Sequence, residues 1–551
     1  MDTLFVACLG GSGARVASSL IHLVSAGVFD NCNELHILLV DPHIEHKNIQ
    51  DAIQKAKEYN ALQKAFNPDG KASLFKVKLT VDFWQIRPKT DNLLGWVSGL
   101  KDTNLNILAS FTLEDRKCDK TSDVKSAENL MKLLYTKQER ENIHVFSNGY
   151  NARPSIGAAF CTSAIEFNKR RRNTTDTYIE FRTKIANKLA NGNVHLVLVG
   201  SLFGGTGAAC LSALATDFKA VNEENIYKTE LHVSGVFMLP YFSFRVRTDG
   251  SGIVINYHNF HQSTANALTY YELFRVTNGY FHSTYVVGHD EMEERADYNN
   301  NNDQNNPCHF VELEAAMSMH HFINDSHDKN SGRVFAKGYK LREKESESES
   351  GKESQIDWGS LYNGDELRRK VGKFLVQGMM YTTYLYPHIF SEENKRRIKF
   401  IILFLRYTVE EMKDTDDDKK LNDLFNYFAD FTDWCIEVAT SLHGKQDSTG
   451  EEVVASIFND YPLLRKHPDD GSPGLFELTN LKKYRTLIVE NKFDKGNFSA
   501  IAKSCKGILG GSPILFQGLR GIIFALRAIQ NPSYTIYQTF LESLFDPIKI
   551  K

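Results

Sequence analysis

Two short glycine-rich runs hold the residue types best suited to chemistry. The first, Gly10-Gly11-Ser12-Gly13, follows the apolar stretch Thr3–Leu9. It precedes Arg15–Val24, where Val16, Leu20, Ile21 and Val24 recur at helical spacing. The second, Gly204-Gly205-Thr206-Gly207, follows the apolar run Val194–Val199 and opens an Ala-rich helix near Ala208. Glycines let the backbone approach a phosphate, and the N–H groups of a following helix point at it. Successive small residues at a helix start form a nest of such N–H groups, to which Thr206 adds a hydroxyl. The expected chemistry is phosphate binding by the main chain. No Lys follows the second run, so it is not a Walker A loop. The first run lacks the last glycine of a GxGxxG dinucleotide fingerprint, because Val16 stands in its place.

These runs need strands to place them. Glu34–Val40 ending at Asp41, Leu231–Leu239 and Ser283–Val287 read as further strands. Strands alternating with helices predict an α/β fold with a parallel sheet covered on both faces. Between about 45 and 145 the pattern is mixed and more polar, which reads as an insertion. Asn299–Asn306 is almost entirely Asn and reads as a loop. Lys344–Ser354 (KESESESGKES) has no apolar residue and reads as flexible. The expected organisation is a nucleotide-binding domain over 1–330, a charged linker over 331–360 and a C-terminal α+β domain over 361–551. In that last domain Asp365–Met380 and Leu421–Leu442 read as helices, Ile398–Val409 and Arg485–Val489 as strands.

The order of the motifs resembles the tubulin/FtsZ family. GGTGAA after an apolar strand is similar to that family's GGGTGS/T signature. The opening glycine run comes first, as in FtsZ-like proteins. Val40-Asp41-Pro42 then matches a strand ending in a short acidic loop. Asn151-Ala152-Arg153-Pro154-Ser155-Ile156-Gly157 looks like the GGNPEVG-type loop, and Met238–Phe244 like the segment ending the strand after the signature. Ala265–Phe274 and Tyr285–Asp290 continue the series. The likeness is one of ordered motifs over about 1–330. It departs from the family at Ala14, where the usual Asn contacts guanine, with Arg15 following it. It departs again at Phe203 and Ala209, in place of the signature's first Gly and its last position.

The resemblance implies a GTP/GDP and Mg²⁺ site. It would be lined by Gly10, Gly11, Ser12, Gly13, Arg15, Asp41, Asn151, Arg153, Pro154, Gly204, Gly205, Thr206 and Gly207. Arg245 and Arg247 would reach the phosphates, and His309 would stand near the base. It also implies a central helix over Pro307–Ile323, with Pro in the first turn. Asp325 and Asp328 follow that helix three residues apart. Filaments of this family complete hydrolysis with such a loop from the next subunit, whose carboxylates orient water. The leading expectation is therefore a filament-forming GTPase. Two alternatives stand beside it: a nucleotide-binding sensor or scaffold in a hetero-complex, with a protein partner on the C-terminal domain, and an NAD/FAD oxidoreductase using Asp41 as its ribose acid.

Composition bounds these readings. The chain has 551 residues, 42% hydrophobic and 24% charged, and a formal net charge of −3. This excludes a disordered chain and argues against a protein built mainly to coat nucleic acid, leaving a local basic patch open. Lys169–Arg172 (KRRR) reads as a solvated helix end, not as a nucleic-acid site. Eight scattered cysteines without a CxxC pair argue against a disulfide framework and a zinc site. His309, His320, His321 and His327 lack metal-ligand spacing. No basic residue precedes the first apolar stretch and no apolar run reaches about 20 residues, so a soluble, cytoplasmic protein is expected.

Overall fold

Strand β1 (Asp2–Leu9) divides its apolar side chains by a period of two. Leu4, Val6 and Cys8 enter one core, and Phe5, Ala7 and Leu9 enter the other. β2 (Cys32–Asp41) sends Leu35, Ile37 and Leu39 one way, and Leu38 and Val40 the other. β4 (Val194–Ser201) splits Val197 and Val199 from Leu196 and Leu198. A sheet buried on both faces in this way is the parallel kind.

The computed structural model describes residues 2–66, 75–86, 133, 150, 154–170, 175–244, 257–278, 281–289, 293–295, 306–324, 333–339, 364–380, 382, 415–443 and 454. Its main sheet has seven strands in the order β3 (Lys78–Gln85), β2, β1, β4, β5 (Leu231–Met238), β7 (Ser283–His289), β9 (Arg333–Tyr339). Every neighbouring pair is parallel. Two short strands, β6 (Phe242–Phe244) and β8 (Glu293–Arg295), pair apart from it.

Helices α1 (Gly10–Ser25), α2 (Lys47–Phe66), α7 (Phe310–Asn324), α8 (Gly364–Met380) and α9 (Thr415–His443) contribute to the core on one face. On the other lie α3 (Pro154–Arg170), α4 (Thr177–Leu189), α5 (Gly205–Glu223) and much of α6 (Tyr257–Asn278). The α/β class and the parallel sheet are thus as expected.

The boundaries drawn from sequence need three corrections. The supposed insertion over 45–145 contains α2 and β3, which are integral to the sheet layer. Ile49, Ala52, Ala56, Tyr59 and Leu62 bury one stripe of α2, while β3 is a half-buried edge strand whose alternation is faint. The supposed linker over 331–360 contains β9, the opposite edge, paired along its length with β7. The helices α8 and α9, assigned to a separate domain, share the core of α1. Phe374, Phe428, Phe431 and Trp434 are buried there, each worth about 1.5–3 kcal/mol of burial. Trp434 Nε1 donates to Ser19 Oγ at 3.2 Å, and Tyr427 and Ser25 share a hydroxyl–hydroxyl hydrogen bond. Segments 344–354, 398–409 and 485–489 lie outside the described residues.

Candidate phosphate-binding site

β1 and β4 lie side by side near the middle of the sheet. From β1 the chain moves to β2 on one side, and from β4 to β5 on the other. Such a reversal opens a crevice at the strands' carboxyl ends, where open α/β sheets bind ligands. Both glycine runs sit at that edge, since α1 starts at Gly10 directly after Leu9 and α5 starts at Gly205 just past the end of β4. A Cβ on Gly10 would lie 3.2 Å from Thr206 Cβ, 3.4 Å from Gly207 N and 3.9 Å from Asp41 Oδ2. The two runs and the end of β2 therefore meet at one point. Gly10 has φ +75°, which favours glycine, and a Cβ on Gly207 would come within 2.7 Å of the Ser201 backbone.

The electrostatics of this edge favour an anion. Leu9 and Gly204 precede the two helices, and neither provides a side-chain cap. Neither first turn holds an acidic residue. The orphan amides and the positive ends of both helix dipoles are left for a ligand or water. Asp41 is buried beneath them. Its Oδ1 accepts from His43 N at 2.8 Å, and Thr206 hydrogen-bonds to the carboxylate. Burial pushes the carboxyl up to about 7 against the pull of those hydrogen bonds. Asp41 is thus poised near neutrality between a donor acid and a carboxylate. In the second state, with the Thr206 hydroxyl, it offers the hard oxygens that a Mg²⁺–phosphate pair takes.

Three residues that the sequence reading passed over complete the rim. A Cβ on Gly11 would lie 2.9 Å from His46 Cε1, so the imidazole covers the first run. Burial, with His43 and Arg15 nearby, pushes His46 down to about 4 and leaves it neutral. Asn48 Nδ2 reaches Gly11 O at 3.5 Å. His43, His46 and Asn48 all follow the carboxyl end of β2, and that position was the signal available for them.

Not every expected residue joins the site. Gly10, Asp41, Thr206 and Gly207 come together, the other residues of the two runs adjoin them in sequence, and Pro154 begins α3. Asn151, Arg153, Arg245, Arg247, Asp325 and Asp328 lie outside the described residues. Arg15 is turned to the start of α7. Its Nε meets Glu312 Oε1 at 2.5 Å, Nη1 donates to Asn306 O at 3.0 Å, and Nη2 donates to Pro307 O. Burial alone would make the guanidinium easier to deprotonate, and Glu312 more than reverses this. Glu312 Oε1 also accepts from Tyr241 Oη at 2.8 Å, and Oε2 from His309 N at 3.0 Å. His309 is buried in the same network, where its Nδ1 accepts from Val311 N and its ring lies 4.8 Å from that of Tyr241. Phe203, the departure from the signature, packs on Tyr241, Phe242 and Phe260.

At the amino ends of β5 and β7, Glu230, His232 and His282 bring ligand-type atoms within 4.8 Å of one another. Val233 N donates to His282 Nδ1 at 3.0 Å, so the proton sits on Nε2, 3.1 Å from Glu230 Oε1. Both ring nitrogens are engaged, which makes this cluster a hydrogen-bonded staple and not a ready metal site.

No protein-family model, curated protein or solved structure matches the chain. Among the described residues no helix is long and apolar enough to cross a membrane.

Proposed function

We propose that this chain is a tubulin/FtsZ-like nucleotide-binding protein whose ligand phosphates lie between the starts of α1 and α5. The observation that carries the reading is the meeting of two uncapped, glycine-opened helix starts with Thr206 and Asp41 at the reversal point of a parallel sheet. The main-chain amides of both runs bind the phosphates, Thr206 adds a hydroxyl, and Asp41 is the carboxylate available to Mg²⁺. The metal would supply charge neutralisation of the phosphates. The order of motifs along the chain favours GTP and assembly into filaments, with Asp325 and Asp328 completing hydrolysis on a neighbouring subunit.

A second reading is a binding module that does not hydrolyse. It is favoured by Arg15, whose charge is spent on Glu312 instead of on the glycine run it follows. The dinucleotide reading loses support at Val16, which is fully buried where the fingerprint requires glycine.

A thermal-stability screen with GTP, ATP and NAD separates these ligands. A bound nucleotide at about 100 times its Kd adds roughly 2.7 kcal/mol. Gly205→Val, at the first position of α5, should abolish that gain while circular dichroism stays unchanged. A folded Gly205→Val protein with the wild-type response would refute the site. Phosphate release per subunit that rises above a threshold concentration, with pelletable polymer, supports the filament. A flat profile without polymer supports the binding module.

A further inference from the structure

Helix α1 meets α9 along a polar stripe, Ser19, His22 and Ser25, and all three side chains are buried. The two hydroxyls have aromatic partners on α9. Trp434 Nε1 donates to Ser19 Oγ at 3.2 Å, and the Tyr427 and Ser25 hydroxyls share a hydrogen bond. His22 lies between them, its ring centroid 5.0 Å from that of Trp434, 5.4 Å from Phe431 and 5.8 Å from Tyr427. It is 1% exposed, and neither ring nitrogen has a hydrogen-bond partner. A buried polar group left so costs free energy and calls for a reason.

The surroundings are hostile to a charged imidazole. Among the described residues the charged group that acts on the ring is Lys55 of α2, which repels an imidazolium. Glu58 of α2 and Asp430 of α9 act on the neighbouring Tyr427 phenol instead. The attraction of aromatic faces for a cation is small beside the hydration lost in such a cage. Burial, and then Lys55, hold His22 well below its usual 6.5. α9 also does more than cover α1. Its Glu437 Oε2 and Ser441 Oγ accept from Cys308 N and Phe310 N at the start of α7, each at 2.8 Å.

We propose that His22 is an acid-sensitive latch: protonation of its ring shifts the protein toward a state in which α9 has left α1 and the start of α7 while the parallel sheet stays folded. The polar stripe suits such a release, because Ser19, His22 and Ser25 all hydrogen-bond to water once α9 is gone. The closed state keeps the ring neutral, and the open state lets it titrate near 6.5. Closure is therefore at full strength above about pH 6.5 and weakens about tenfold per pH unit below it. Asp41 has the opposite sign and lies at the other end of α1, so it does not imitate this effect. The latch does not depend on what the glycine runs bind.

The test is hydrogen exchange on the full chain at pH 7 and pH 5, expressed as protection relative to free amides at each pH. In the wild type, protection over 424–438 should fall roughly 20- to 30-fold between the two. Protection over 308–313 should fall with it, while 4–9 and 196–199 keep theirs. In His22→Leu the change over 424–438 should shrink to within about twofold. His22→Met serves the same purpose if the Leu variant does not fold. Wild-type protection over 424–438 that is level between pH 7 and pH 5 overturns the proposal, whatever the variants do. An equal fall in a folded His22 variant overturns it too, because other groups then sense the acid. A fall shared by 4–9 and 196–199 means unfolding of the whole layer and refutes a latch.

Discussion

The starts of α1 and α5 differ from that of α7, although all three helices lie at the same working end of the sheet. At α7 the amides around the first turn have side-chain acceptors. Cys308 N donates to Glu437 Oε2, His309 N to Glu312 Oε2, Phe310 N to Ser441 Oγ and Val311 N to His309 Nδ1. Two of those acceptors come from α9, far along the chain. α4 is closed in the same spirit by Asp176, which accepts from Tyr178 N and Ile179 N. At α1 and α5 glycines take the place of acceptors, and no acid enters the first turn. Helix starts in one fold are thus treated in two ways. Those that hold the structure together are satisfied internally, and those at the reversal point are left for something else to satisfy.

The widest gap between the two regions should appear on breaking the α7 network. Glu312→Ala leaves the Arg15 charge buried without its partner and should cost about 3–5 kcal/mol in urea unfolding. Glu312→Gln, which can still accept, should cost less and leave phosphate affinity within about twofold if hydrogen-bond replacement is conservative. Loss of phosphate binding in a folded Glu312→Gln protein would show that the two regions are one.

Asp41 sharpens the contrast through pH. Its carboxyl is raised from 3.8 to about 7 in the folded protein. The folded state therefore holds the proton more tightly than the unfolded chain. The associated stability is fully present below pH 4 and is lost as pH rises through 7. Relative to Asp41→Asn, the wild type should lose about 2–3 kcal/mol between pH 5 and pH 8. In Mg²⁺-free buffer the ratio of its affinity for pyrophosphate to that of the variant should fall over pH 6 to 8, a comparison in which the ligand's own titration cancels. Equal pH profiles for the two proteins would place Asp41 outside the cradle.

A milder effect is expected at the capped helix. Asp176→Ala should cost about 1 kcal/mol with phosphate affinity unchanged. The smallest effect is on amide exchange. Pyrophosphate should slow exchange at residues 205–208 and leave 177–180 and 310–313 as they were, because only the first set lacks acceptors. Equal slowing at all three sites would argue for general stabilisation and against a local ligand.

Much of the sheet was legible because its signals are local. The apolar runs at 3–9, 34–40, 194–199, 231–239 and 283–287 each became a strand, and each glycine run fell where a strand gives way to a helix, although Gly10–Gly13 and Gly205–Gly207 already belong to the first turns of α1 and α5 and form no separate turn before them. The edges were not legible. β3 and β9 are half-buried, so their hydrophobic pattern is diluted, and polar flanks made them look like an insertion and a linker. At the site, Gly10, Asp41 and Thr206 carried their own signals. His46 did not, because a lone His has no periodicity and its meaning lies in what it touches.

What the sequence determined by itself is the set of elements and the two places where the backbone opens onto a helix start with nothing to cap it. Both follow from short-range rules, a period of two in strands and the steric freedom of glycine. Only the tertiary structure decided that the two runs share one crevice, since that depends on β1 and β4 pairing across about 190 residues of chain. It alone gave Arg15 to Glu312, 297 residues away, instead of to the adjacent glycines. It also drew α8 and α9 into the core of α1. The physical reason is the same in each case. A buried charge or an apolar face takes the partner that removes it from water at least cost, and spacing along the chain does not enter that choice.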